Sequence, residues 1–132
     1  ENIGDYLGVN YYMRRVVEAG DLTSDKIEDM FSYVKVPGGN YTKWGWEIYP
    51  EGIVNLLERI YNEYGRKEII ISENGIGFDD QMNENGKFED HERISYLKEH
   101  TEMVEQLCTK GIDITGYYVW SAIDLLSWTN GY

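Results

Sequence analysis

Ser72-Glu73-Asn74-Gly75 places a carboxylate and an amide directly after the run Ile69-Ile70-Ile71. Three β-branched apolar residues between polar ones predict a short strand buried on both faces, as in a parallel sheet. Strand alternation assigns Ile69, Ile71 and Glu73 to one face and Ile70 and Ser72 to the other. Glu73 therefore stands at the C-terminal end of a buried strand, where α/β folds carry their chemistry. On the strand pattern alone, a glutamate that merely opens a solvated loop is the favoured reading. A second strand-like stretch, Asp5–Tyr12, has Leu7, Val9 and Tyr11 in one row and Gly8, Asn10 and Tyr12 in the other. A buried asparagine without partners is costly, so Asn10 and Tyr12 face either a wet, hydrogen-bonding environment or the solvent beyond a strand end. Trp44 and Trp46 flank Gly45 in a polar region. Such rings suit stacking on sugar faces, and equally suit pinning a loop to the body.

Other reactive residues fall away on spacing. His91 and His100 lie nine apart in a helical stretch, which keeps them from the shared face that metal ligands at i, i+4 use. Both read as surface or packing residues. The acidic stretch Asp79–Gly86 invites a calcium reading, but its glycine and acid positions do not fit an EF-hand loop, and a solvated loop is favoured. Cys108, the single cysteine, excludes an internal disulfide framework and fits a reducing, cytoplasmic compartment. It falls in a helical apolar pattern, as a buried structural thiol. Neither a metal nor a cofactor is called for. Acidic residues outnumber basic ones 24 to 12, and the resulting charge of −12 repels nucleic acid and anionic membranes. No apolar run reaches the length of a membrane span, and Glu1–Asp5 does not resemble a signal peptide or a natural start.

The elements that must position these residues follow in order. Between Met13 and Tyr49 no clear element emerges, beyond one or two helical turns in Asp25–Tyr33 and a turn at Pro37-Gly38-Gly39-Asn40. So long a connection suggests a functional loop. A helix is predicted over Pro50–Tyr64, opened by Pro50, closed by Gly65, and striped by Ile53, Leu56, Leu57, Ile60, Tyr61 and Tyr64. A second runs from an N-cap at Asp90 to Lys110, closed by Gly111, with Ile94, Leu97, Val104, Leu107 and Cys108 as its buried stripe. A third strand covers Ile114–Ser121. Strands alternate with helices, and the long loops follow strands while helix-to-strand links stay short. That asymmetry belongs to a (β/α)8 barrel, whose active site lies at the C-terminal strand ends. Three parallel strands alone would leave long open edges. The expected fold is therefore α/β, three βα units of a TIM barrel, incomplete as given.

Four segments then carry a resemblance: Leu7-Gly8-Val9-Asn10-Tyr11-Tyr12, Trp44 through Gly52, Ile71-Ser72-Glu73-Asn74-Gly75, and Gly116-Tyr117-Tyr118-Val119-Trp120-Ser121 through Trp128. In this order and spacing, the chain resembles family 1 of the glycoside hydrolases, the β-glucosidase group. The resemblance implies a retaining β-glycosidase, with residues 1–132 as the C-terminal portion of its catalytic barrel, strands 6–8. By it, Glu73 is the nucleophile, Asn10 and Tyr12 sit beside it, and the Tyr12 hydroxyl orients the carboxylate. Trp120 becomes the platform under the sugar and Trp46 a wall of the aglycone entrance. Retention needs a second carboxyl roughly 5–5.5 Å away as acid and then base. The family supplies it from an Asn-Glu-Pro motif that does not occur in these residues.

One departure bears on substrate. Ordinary β-glucosidases of the family carry a sugar-binding glutamate just before the last tryptophan, and here Ser127 precedes Trp128. A glutamate would repel a phosphate on the sugar's sixth carbon, whereas a serine hydroxyl can donate to it. The resemblance thus implies a 6-phospho-β-glucoside as the small-molecule partner, with Ser127 and Trp128 in its site. A 6-phospho-β-galactoside, a free β-glucoside, and an inactive carbohydrate-binding fragment remain the alternatives, and for Ser127 itself the alternative is an unremarkable loop serine.

Overall fold

The computed structural model of the chain describes residues 4–127 and Gly131. In chain order the elements are β1 (Tyr6–Asn10), β2 (Val16–Ala19), the single helical turn α1 (Ile27–Met30), β3 (Phe31–Val34), α2 (Glu51–Glu63), β4 (Glu68–Asn74), α3 (His91–Thr109) and β5 (Ile114–Val119). The strands β1, β4 and β5 form one parallel sheet with β4 in the centre. The triple isoleucine takes that central position, but only Ile69 and Ile71 are fully buried, while Ile70 on the opposite face is half-buried, so the expected burial on both faces is not met in these residues. Val9, Ile69 and Ile71 turn one face of the sheet toward α2 and α3, where Ile53, Leu57 and Leu107 complete the core.

The alternation in β4 does not run through to Glu73. Val9 pairs with Ile71 but Asn10 pairs with Glu73, so Ser72 is an extra residue and the ladder bulges there. The bulge reverses the facing of everything after it. Asn74, and not Glu73, falls on the buried helix side with Ile69 and Ile71. Glu73 is thereby aimed away from the core, on the side of Tyr12. The expectation that it shares a face with Ile69 and Ile71 is corrected accordingly.

The stretch from Met13 to Tyr49 holds more order than its sequence suggests. β2 and β3 form an antiparallel hairpin, Val16 opposite Val34 and Ala19 opposite Phe31. Only one turn of Asp25–Tyr33 is helical; Phe31 onward is strand. The hairpin's side chains are mostly exposed, so no core imposes the apolar alternation that would reveal it.

The helices lie where expected, with differences on their faces. In α3 the inward residues are Tyr96, His100 and Leu107, with Met103 and Val104 packed beside them. Ile94 is 61% exposed, and Cys108 is an exposed thiol, not a buried one. Leu107 takes the core position, and Cys108, one residue on, is rotated about 100° away from it. Asp90 occupies the N-cap position without capping any backbone N–H, because its carboxylate accepts from Arg93 at 2.6 Å. In α2, Ile53 and Leu57 are fully buried, while Leu56 on the flank and Tyr64 at the helix end are exposed. The acidic loop is tied down by cations: Lys43 meets Asp79 at 2.5 Å, and Arg93 grips Asp80 through two bonds of 2.6 and 2.7 Å.

The outer strands β1 and β5 each have one neighbour, and Tyr6, Tyr118 and Val119 along them, with Trp120 just beyond β5, are exposed. Open edges beside apolar side chains invite association. The 132-residue chain purified alone is therefore expected to bind an apolar dye and to aggregate with concentration. A monomer that unfolds in one cooperative transition without binding dye would contradict this. No helix among the described residues is long and apolar enough to cross a membrane.

Candidate active site

Glu73 lies at the C-terminal end of the central strand, half-buried, with Tyr12 donating a hydrogen bond from its phenol to Oε2. Burial, and then the Glu73 carboxylate, hold that phenol well above the ordinary tyrosine range, so Tyr12 keeps its proton and acts as a fixed donor. A carboxylate with one lone pair so engaged keeps its other oxygen for an incoming group. Asn10 is the cross-strand partner of Glu73, and its Oδ1 accepts from the Ser72 hydroxyl at 2.8 Å.

Trp46 sets its ring edge-on to Tyr12, centroids 5.9 Å apart, and Trp44 follows at 6.4 Å from Trp46. Local chemistry holds this aromatic row in place. Thr42 accepts from Gly45 N at 2.9 Å and, through Oγ1, from Trp46 N at 3.2 Å. Gly45 has φ +78°, a conformation side-chain-bearing residues rarely adopt, and this closes the turn. Behind it Glu47 is 3% exposed and takes Arg14 in a two-pronged pair, 2.6 and 2.7 Å, while the guanidinium lies 3.8 Å from the Tyr49 ring centre. Trp44 fills the space where a side chain at residue 77 would sit, so Gly77 is required for the tryptophan loop to close on the loop after β4. Both functions open to these tryptophans in sequence are thus compatible: Trp44 pins the loop, and Trp46 faces Tyr12. A cleft of about 470 Å³ opens between the β2–β3 hairpin and this loop, with Arg14, Arg15, Lys35, Tyr41 and Trp46 among its walls.

Trp120 lies beyond β5, half exposed, with its backbone N–H donating to the Asn74 carbonyl at 2.9 Å. The strand ends of β1, β4 and β5 therefore bring Tyr12, Glu73 and Trp120 to one rim of the sheet.

The full length, residues 1–132, matches the model of glycosyl hydrolase family 1. This chain belongs to that family. A 6-phospho-beta-galactosidase of Clostridium acetobutylicum is 38% identical over 97% of this chain and 30% of its own length. A 1,4-beta-D-glucan glucohydrolase of Thermotoga neapolitana is also 38% identical, over 97% of this chain and 29% of its length. Among solved structures, a family 1 β-glucosidase from Thermotoga maritima superposes with a TM-score of 0.84 at 37% identity, covering 96% of this chain and 28% of that one. The chain thus spans under a third of the length of the relatives it matches. Its three parallel strands and the two helices between them belong to the last three βα units, strands 6–8, of a (β/α)8 barrel.

In this family 1 chain Ser127 lies on the loop after β5, half-buried, and its backbone exchanges hydrogen bonds of 2.8 and 3.0 Å with Gly131. Trp128 falls outside the described residues. Sequence reasoning missed the polar cluster behind Glu73. Asn74, fully buried, donates from Nδ2 to the Tyr11 carbonyl at 2.7 Å and to the Tyr96 hydroxyl at 3.1 Å, and accepts on Oδ1 from Tyr117. Burial pushes the Tyr117 phenol up to about 12. The one available signal was the asparagine itself: on a buried strand its amide must find partners. His100 and His91 resolve as read, the first packed inside and the second exposed.

Proposed function

We propose that this chain is the C-terminal portion of the catalytic domain of a retaining β-glycosidase, with Glu73 as nucleophile. The observation that carries the reading is the Tyr12 phenol hydrogen-bonded to the half-buried carboxylate at the end of β4. Family membership supports it. Glu73 attacks the anomeric carbon as the glycosidic bond breaks, and the sugar becomes an ester on the carboxylate. The leaving oxygen takes a proton from a second carboxyl supplied by another strand of the barrel. Water, deprotonated by the same group, then attacks the anomeric carbon and releases Glu73, and two inversions give net retention. Tyr12 holds one carboxylate oxygen so that the other faces the sugar. Asn10 lies beside it to contact the sugar's hydroxyls, Trp120 supplies its apolar floor, Trp128 is a further substrate-binding residue, and Trp46 with the adjoining cleft receives the aglycone.

The proposed substrate is a 6-phospho-β-glucoside, on the ground of Ser127 in place of a glutamate before Trp128. A 6-phospho-β-galactoside is the second reading, favoured by the relative from Clostridium acetobutylicum that bears that name. A free β-glucoside is the third, favoured by the relatives from Thermotoga at similar identity. A sugar phosphate does not cross a bilayer unaided, so the first two readings carry a cytoplasmic location with them. The test of the mechanism is to trap the complete enzyme with a 2-deoxy-2-fluoro-β-glycoside of the preferred sugar. Mass spectrometry of its peptides should find the added sugar on Glu73, and proton NMR should show the β-anomer released first. Labelling of another residue, or release of the α-anomer, rules the assignment out.

A further inference from the structure

The β1 ladder ends at Asn10, and the two residues after it are held by side chains in its place. Tyr11 N–H still donates to the Glu73 carbonyl at 2.9 Å. The carbonyls of Tyr11 and Tyr12 accept instead from Asn74 Nδ2 at 2.7 Å and from the Tyr96 hydroxyl at 2.8 Å. Tyr96 belongs to α3, on the outer layer, and is fully buried. Its hydroxyl has one proton. Accepting from Asn74, it must spend that proton on the Tyr12 carbonyl. The ring is clamped by His100, whose imidazole lies 3.9 Å from it at 30° and whose Nδ1 donates to the Tyr96 carbonyl at 2.7 Å.

We propose that Tyr96 is a positioning residue: it fixes the backbone of Tyr12, and through the Tyr12 phenol the Glu73 carboxylate. The proposal rests on Glu73 being the nucleophile. Beside the edge-on contact with Trp46, two hydrogen bonds hold Tyr12, one from Tyr96 to its carbonyl and one from its phenol to Glu73. Releasing the first lets the residue drift relative to the second. Hydrogen bonds weaken steeply with misalignment, and a misplacement of about 1 Å in a catalytic group can cost about a hundredfold.

The experiment uses the complete enzyme and a substrate with a poor leaving group, so that attack by Glu73 limits the rate. Tyr96→Phe keeps the ring against His100 and removes only the hydroxyl. It should lower kcat by about ten- to a hundredfold and leave KM within about twofold. In a Tyr12→Phe background the same change should have almost no further effect on kcat, because the connection it acts through is gone. If Tyr96→Phe does not fold, 3-fluorotyrosine at position 96 keeps the hydroxyl in place and changes its hydrogen-bond strength at the cost of one added fluorine. A change in kcat that vanishes with Tyr12→Phe supports the proposal, and an unchanged kcat overturns it. A Tyr96→Phe effect that persists in full without the Tyr12 hydroxyl, or that falls on KM alone, also overturns it. Glu73→Gln separates the two levels. If that variant stays active the nucleophile assignment has failed, whereas a dead Glu73→Gln beside a silent or additive Tyr96→Phe sinks only the positioning role.

Discussion

Replacing Glu73 by glutamine in the complete enzyme is expected to lower kcat by at least about a thousandfold, which corresponds to roughly 4 kcal/mol of transition-state stabilisation. The amide has nearly the shape of the carboxylate but cannot form the ester intermediate. Its oxygen can still accept from Tyr12, so the hydrogen bond behind it has a route to survive and the fold should be undisturbed. Substrate affinity, read by calorimetry on the inactive variant, should stay within about tenfold of the wild-type KM. A Glu73→Gln enzyme that retains more than a few per cent of activity would remove Glu73 from the mechanism, and with it the reading of the Tyr12 contact as catalytic.

A change at Ser127 should redirect the enzyme rather than silence it. Ser127→Glu places a carboxylate where the proposed substrate carries its phosphate. Like charges a few ångströms apart repel by about 4 kcal/mol at an effective dielectric of 20. Loss of a hydroxyl hydrogen bond to a charged group adds roughly 1.5–3 kcal/mol. The phosphorylated substrate should therefore lose at least about a hundredfold in kcat/KM. The free glucoside should lose little and can gain, since the new carboxylate accepts from its hydroxyls. The measurement is the ratio of kcat/KM for a nitrophenyl 6-phospho-β-glucoside and its unphosphorylated counterpart, in wild type and variant. Running the 6-phospho-β-galactoside alongside decides between the two phosphorylated sugars. If the ratio hardly moves, Ser127 does not meet the phosphate, and the free β-glucoside becomes the better reading.

Where the three parallel strands and two long helices lie follows from local chemistry. Ile69-Ile70-Ile71 cannot stay in water and has the stiffness of a strand, while Pro50 with Gly65, and Asp90 with Gly111, bracket helical stripes. That Glu73 ends the central strand, with Asn10 and Tyr12 at the neighbouring strand's end, was legible for the same reason. Three things were decided only by tertiary structure. The side on which Glu73 lies depends on one inserted residue, Ser72, in a ladder whose register is set by a strand some sixty positions away. The β2–β3 hairpin has no buried face to write an alternation into its sequence, so its pairing emerges only when the ends meet. The inner face of α3 is led by Tyr96 and His100 instead of Ile94, because a helix lying behind a strand that ends in a buried asparagine must satisfy polar groups as well as fill space. An apolar count finds what leaves water. It cannot find a tyrosine whose hydroxyl is wanted by a carbonyl eighty-four residues before it.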